Sequence, residues 1–132
     1  MAISVPAAHR RPPEEMGGPA FRTFLRIAEA WKLTPDEQMV LLGIPARSTF
    51  YKWRKEAPSR LPPDLLERLS YLFGIFKNLQ ILLPDERAAD DWLHRPNHHP
   101  LFNGKSALDR MLSGRVADLY LVRQYLDAER GG

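Results

Sequence analysis

Five cations, Arg47, Lys52, Arg54, Lys55 and Arg60, lie between residues 47 and 60 and face a single acid, Glu56. That is chemistry for holding a polyanion. The chain carries a net charge of +3, yet residues 1–46 and 61–83 are balanced and residues 84–132 hold slightly more acid than base. The whole basic excess therefore sits in one short segment, the electrostatic footprint expected of an element that faces nucleic acid. A solvated surface helix that happens to be basic is the plainer alternative.

The second group with chemical potential is His94, His98 and His99. Imidazoles so close together raise the question of a metal site. Pro96 stands between them and prevents an i, i+4 ligand pair on one helix, and no cysteine or carboxylate is spaced to complete a zinc set. With no cysteine in the chain, disulfides and thiolate catalysis are excluded. No glycine-rich phosphate loop, nucleophile elbow or paired-carboxylate motif appears, so neither an enzyme nor a cofactor site is expected.

The elements that must position these residues read as helices. Phe21, Phe24, Leu25, Ala28 and Trp31 recur at helical spacing from Pro19 onward. Thr34 has the form of an N-cap, with Pro35 at the first helical position and Glu37 closing a capping box. The helix through Met39, Leu41 and Leu42 stops at Gly43. A second helix over 46–57 puts Ala46, Phe50, Trp53 and Ala57 on one stripe, with Phe50 and Trp53 in the core. Arg47, Ser48, Tyr51, Lys52 and Lys55 then fall on the opposite surface. Two short helices about a glycine turn make a helix-turn-helix. Recognition helices of this kind set polar residues against base edges and flanking cations against phosphates. Arg47, Ser48 and Tyr51 are the expected base-side residues, and Lys52, Arg54 and Lys55 the phosphate-side ones.

After the break Pro58–Pro62, Leu65, Leu69, Leu72, Phe76, Leu79 and Leu83 recur in alternating steps of four and three, and Leu66, Phe73 and Ile75 widen the seam. Such a helix is buried on more than one side, as the central core helix, as part of a homodimer interface, or both. No stretch alternates with a period of two. The expected fold is all-α: a tail over 1–17, a helix-turn-helix region over 18–62 and a helical domain over 63–132. No apolar run approaches the roughly 18 residues needed to span a bilayer. The N-terminus lacks a hydrophobic signal core, so a cytoplasmic setting is the expectation.

The last third carries the most specific pattern. Trp92-Leu93 closes an acidic helical stretch that begins after Pro84, and Pro96-Asn97 breaks it. Phe102 anchors a loop in which Gly104 supplies a positive φ. Leu108 and Leu112 lie on a short helix ended by Gly114, and Val116 opens the final helix. The order W-L-x-x-P-N…F-x-G…L-x-x-x-L-x-G-x-V resembles the toxin-binding domain of the Xre/MbcA/ParS antitoxin family over residues 84–128. The helix-turn-helix is similar to the Xre type found in that family. Ala107 stands where the family often has proline, a mild departure that costs some rigidity in the turn.

The resemblance implies an antitoxin of a type II toxin–antitoxin system with two tasks: binding operator DNA, and inhibiting a RES-domain toxin that consumes NAD or transfers part of it. The cofactor would belong to the toxin. A stand-alone regulator with a dimerising C-terminal domain is the second reading. In the final helix, Val116, Leu119, Val122 and Leu126 fall within a stripe of about 120° that docks it. Leu121 and Tyr125 fall on the far side, where an apolar pair would mark an interface. With the resemblance, Leu121, Arg123, Tyr125, Arg130, Gly131 and Gly132 become the expected toxin-binding set, the arginines suited to phosphate groups.

Overall fold

The computed structural model describes residues 17–131, so all of the expected tail over 1–17 except Gly17, and the terminal Gly132, lie outside the described residues. Among these the architecture is all-α, with α1 (Gly17–Ala30), α2 (Pro35–Leu42), α3 (Arg47–Lys55), α4 (Pro63–Leu82), α5 (Glu86–Trp92), α6 (Ala107–Met111) and α7 (Val116–Glu129). No helix among them is long and apolar enough to cross a membrane.

Local chemistry sets the boundaries. The Thr34 hydroxyl accepts from Glu37 N–H and the Glu37 carboxylate from Thr34 N–H, so both halves of the expected capping box are present. At the other end of α2, Gly43 adopts φ +70. Its N–H reaches Val40 O while Ile44 N–H reaches Met39 O. That pair of bonds is a Schellman stop, and Ile44, buried beneath it, supplies the apolar contact that goes with the motif. Pro63 sits at the start of α4, where its missing N–H costs nothing.

The spine of the molecule is α4, which packs against α1, α2, α5 and α7. Leu65, Leu69, Leu72, Ile75 and Leu79 are buried, and Leu66, Phe73, Phe76 and Leu83 pack half-buried around them. The seam read from the sequence is thus the central core helix. One continuous core runs from Phe21 and Phe24 on α1 to Leu119, Val122 and Leu126 on α7.

Two expectations shift at the edges. Gly17, assigned to the tail, is the first residue of α1 and is buried under the 58–61 segment, its N–H bound to Ser59 O. A Cβ there would meet Leu61 Cγ at 2.9 Å, so the site needs glycine. The helix expected over 46–57 is shorter at both ends. Ala46 is its exposed N-cap rather than a core residue, because the stripe leaves the helix where the Ile44-Pro45 turn begins.

Candidate functional site

The N-terminal surface is built on α3. Phe50 is fully buried, with its ring 6.5 Å from that of Phe21 on α1, and Trp53 meets the same Phe21 edge-on at 6.0 Å. These aromatics pin one side of α3 and so determine which side is left outside. Ser48, Tyr51, Lys52 and Lys55 occupy that outer side and are exposed.

Arg47 and Arg54 stand apart from these four. At about 100° per residue they lie together on the flank of α3 rather than at its centre. Arg47 is held by Asp36 on α2 through an Nη2–Oδ1 contact of 2.5 Å, with both side chains largely exposed. The Asp36 hydrogen bond raises the guanidinium pKa further above its already high value. The Arg54 guanidinium lies over the rings of Phe50 and Tyr51, 5.9 Å and 5.7 Å from their centroids. Of the six residues expected to meet DNA, four form one open face and two are engaged at its edge. The sequence holds no local signal for the Asp36–Arg47 pair, because the two residues meet only once the Gly43 turn has closed.

The C-terminal surface forms where the α5–α6 loop folds over α7. Asn97 organises that loop. Its N–H donates to Lys105 O, its own carbonyl accepts from Gly104 N–H, and its side-chain oxygen accepts from His99 N–H. Gly104 takes φ +84 as expected. Ser106 caps α6 through a reciprocal box with Asp109 that the pattern S-x-x-D announces. Phe102 is buried as the loop's anchor.

Around Phe102 the rings gather. Tyr125 lies 5.2 Å from Phe102, 4.6 Å from His99 and 6.4 Å from Trp92, nearly parallel to the last. Tyr125 is therefore half-buried in an aromatic cluster, which corrects the expectation of an exposed Leu121–Tyr125 pair. Helical periodicity assigns a far side to α7, but it does not register the loop that folds across that side. Leu121, next to the cluster, is half-buried as well. The large apolar side chain that α7 exposes is Tyr120, edge-on to Tyr71 of α4.

The expected arginines turn inward too. Arg123 Nη1 donates to Ser70 O, and its guanidinium crosses Gly74 so closely that a Cβ there would sit 2.4 Å from Nε. Arg130 Nη1 donates to Asn78 Oδ1, while Asn78 Nδ2 donates to Asp127 Oδ1. Asn78 is buried, so this network ties the end of α7 to the last turns of α4. Gly131 is exposed with φ +91.

At its other end α7 is fastened by Asp118, which is 3% exposed. Burial alone would push its carboxyl up. The Ser113 hydroxyl and the Arg110 and Arg115 guanidiniums outweigh that and hold it below the usual carboxylate range.

The histidines are dispersed. His94 Nε2 meets Trp31 O, which requires that nitrogen to carry the proton, and His99 Nδ1 accepts from Leu101 N–H. No group of three His, Asp or Glu among the described residues is placed to hold a metal ion.

One further side chain went unnoticed in the sequence. Arg68 of α4, almost buried, donates to Leu41 O at the end of α2 and to Gly114 O just before α7, and is paired with Asp64. It lies against Gly43, whose missing side chain makes room for it.

Comparison with known proteins gives two matched regions that meet within α4. Residues 11–74 match the family described as the antitoxin Xre-like helix-turn-helix domain. Residues 78–132 match the antitoxin Xre/MbcA/ParS C-terminal toxin-binding domain. The chain is also 58% identical over 109 residues to the uncharacterized protein y4oB of Sinorhizobium fredii, an alignment that covers 83% of this chain and 82% of that protein.

Proposed function

Because the chain belongs to the Xre/MbcA/ParS family, whose members are antitoxins of toxin–antitoxin systems, we propose that it neutralises a RES-domain toxin and binds its own operator DNA. The observation that carries this reading is the tandem of a helix-turn-helix and a toxin-binding domain joined through α4. A toxin-binding domain favours the antitoxin over a stand-alone regulator.

For DNA, the supporting feature is the open face of α3. Ser48 and Tyr51 are short or planar groups suited to base edges. Lys52 and Lys55 suit phosphates. Arg54 and Arg47 flank them, with Arg47 held back at the edge by Asp36. For the toxin, Leu121 and the uncovered edge of Tyr125 supply apolar contact. Arg130 and the Gly131-Gly132 end supply reach and positive charge toward a pocket that takes NAD, while Arg123, held across Gly74, braces α7 on α4. The NAD chemistry is the toxin's. The assembly is a cytoplasmic complex built on an antitoxin homodimer.

The test is co-expression of the tagged full chain with the product of the adjacent gene. Co-purification together with loss of the toxin's NAD-consuming activity supports the toxin half. A retarded promoter fragment at low salt supports the DNA half. Absence of a captured partner overturns the first, and an unshifted promoter, with and without toxin, overturns the second.

A further inference from the structure

We infer that the cleft between the α5–α6 loop and the start of α7 binds a small phosphorylated molecule, with its phosphate seated among Lys105, Arg110 and Arg115. Such a ligand is distinct from both the toxin and the operator.

The cleft has a volume of about 640 Å3, the size of a small-molecule site. The loop contributes Leu101, Asn103 and Lys105, α6 contributes Arg110, and the N-terminal end of α7 contributes Arg115 and Asp118. Asp118 is buried and organises the arginines. Its Oδ1 accepts from Arg110 Nε at 2.9 Å, and its Oδ2 accepts from the Ser113 hydroxyl and from Arg115 Nε and Nη2 at 3.2 and 3.1 Å. Arg110 is fixed further by donating Nη1 to Leu101 O. These bonds leave Arg110 Nη2 and Arg115 Nη1 without a partner among the described residues. A buried acid that holds two guanidiniums in place preorganises them for a ligand.

Neutralising Asp118 explains the arginines in part, but it does not explain Lys105. That side chain is exposed and has no acidic partner among the described residues. Its backbone is ordered, since its N–H reaches Phe102 O and its carbonyl accepts from Asn97 N–H. Asn103, at φ +54, brings an unpartnered side-chain amide to the same cleft. Against the three cations stand two carboxylates, Asp118 and Asp109. Both oxygens of Asp118 are occupied, and Asp109 Oδ2 accepts from Ser106 N–H at the α6 cap. What remains is a set of uncommitted donors with surplus positive charge. Two fixed guanidinium forks and a mobile ammonium match the oxygens of a phosphate. The cleft is larger than one phosphate requires, and half-buried Leu101 offers apolar contact to the organic part.

Calorimetry on the full chain, without toxin or DNA, tests this with pyrophosphate, ADP and adenosine as probes. Pyrophosphate and ADP should each bind at one site per chain with Kd at or below roughly the millimolar level, and adenosine should not bind. Lys105→Ala and Arg115→Ala should each weaken binding roughly tenfold. Both side chains are exposed, and Arg110 and Ser113 still hold Asp118 in R115A, so circular dichroism should be unchanged. Asp109→Asn keeps an oxygen for Ser106 N–H while removing a negative charge, and it should tighten binding. Arg87→Ala, at an exposed position of α5 outside the cleft, should have no effect. Failure of both phosphate probes to bind overturns the proposal, as does adenosine binding as well as ADP. Equal weakening by R87A would show diffuse attraction and overturn it too, and so would K105A binding like wild type or D109N binding no tighter. A promoter duplex that displaces ADP would give the cleft to the operator and overturn it equally. Each outcome is read apart from toxin capture and the operator shift, so the function proposed above stands or falls separately.

Discussion

Asp36→Asn should make this antitoxin bind DNA more tightly and make that binding more sensitive to salt. In the free chain Asp36 holds Arg47 at the edge of the α3 face, leaving Lys52 and Lys55 as the cations on the open side. Each phosphate neutralised contributes a slope of about 0.9 in log K against log salt. Two lysines supply roughly 1.8 per recognition helix, and a released Arg47 raises that to about 2.7. Between 50 and 200 mM salt the added contact corresponds to roughly a 3.5-fold steeper loss of affinity per helix, and about twelvefold for two helices on one operator. Stability should hardly move, because both partners of the ion pair are largely exposed, and the α2 cap is made by Thr34 and Glu37. The assay is fluorescence anisotropy of a labelled promoter fragment across that salt range, with Arg47→Ala in parallel. Should Asp36→Asn keep the wild-type slope while Arg47→Ala lowers it, Arg47 already leaves Asp36 for the DNA, and the reasoning fails.

Replacing Lys52 and Lys55 together by alanine should reduce the same slope by about 1.8 per helix and weaken binding to every sequence alike, with circular dichroism unchanged. Tyr125→Ala should cost about 2–3 kcal/mol in chemical denaturation, since its ring contacts Trp92, His99 and Phe102, while Tyr125→Phe should be close to neutral; an unchanged midpoint for the alanine variant would remove the aromatic cluster from the account of α7. Leu121→Asp, half-exposed beside that cluster, should release the toxin while keeping most of the stability, as read by co-purification and thermal melting. Asp118, held below the ordinary unfolded carboxylate value of about 3.9, contributes stability above that value that is lost as pH falls through its lower folded one. Unfolding titrations of wild type and Asp118→Asn should therefore differ most at neutral pH and converge in acid, and a gap that widens as pH falls would reverse the assignment.

Sequence periodicity read well wherever a residue's role depends on its own neighbours. The Thr34–Glu37 box, the positive-φ stops at Gly43, Gly104 and Gly114, and the buried seam of α4 all follow from spacing within one turn or one helix. The Ser106–Asp109 box belongs to the same class and carried a visible S-x-x-D signal that went unused. Longer reach defeated it. Tyr125 is half-buried because the α5–α6 loop crosses α7, and Arg123 and Arg130 fold back because Ser70 O and Asn78 Oδ1 wait on α4 some fifty residues away. Arg47 looks free until the Gly43 turn closes Asp36 over it. Polar side chains choose partners after the backbone has folded, and a linear pattern holds little of that choice.

The two domain matches end and begin at residues 74 and 78, within a single unbroken helix, α4. A cut between them is not a cut between modules. It would strip Leu69 and Leu72 from Ile75 and Leu79 and leave both pieces with half a core. The chain thus has one lifetime for its two halves: a protease that unravels α4 dissolves the N-terminal surface and the C-terminal one in the same event. The shared helix makes loss of the fold all-or-none, since neither fragment keeps a core that could hold one surface and lose the other.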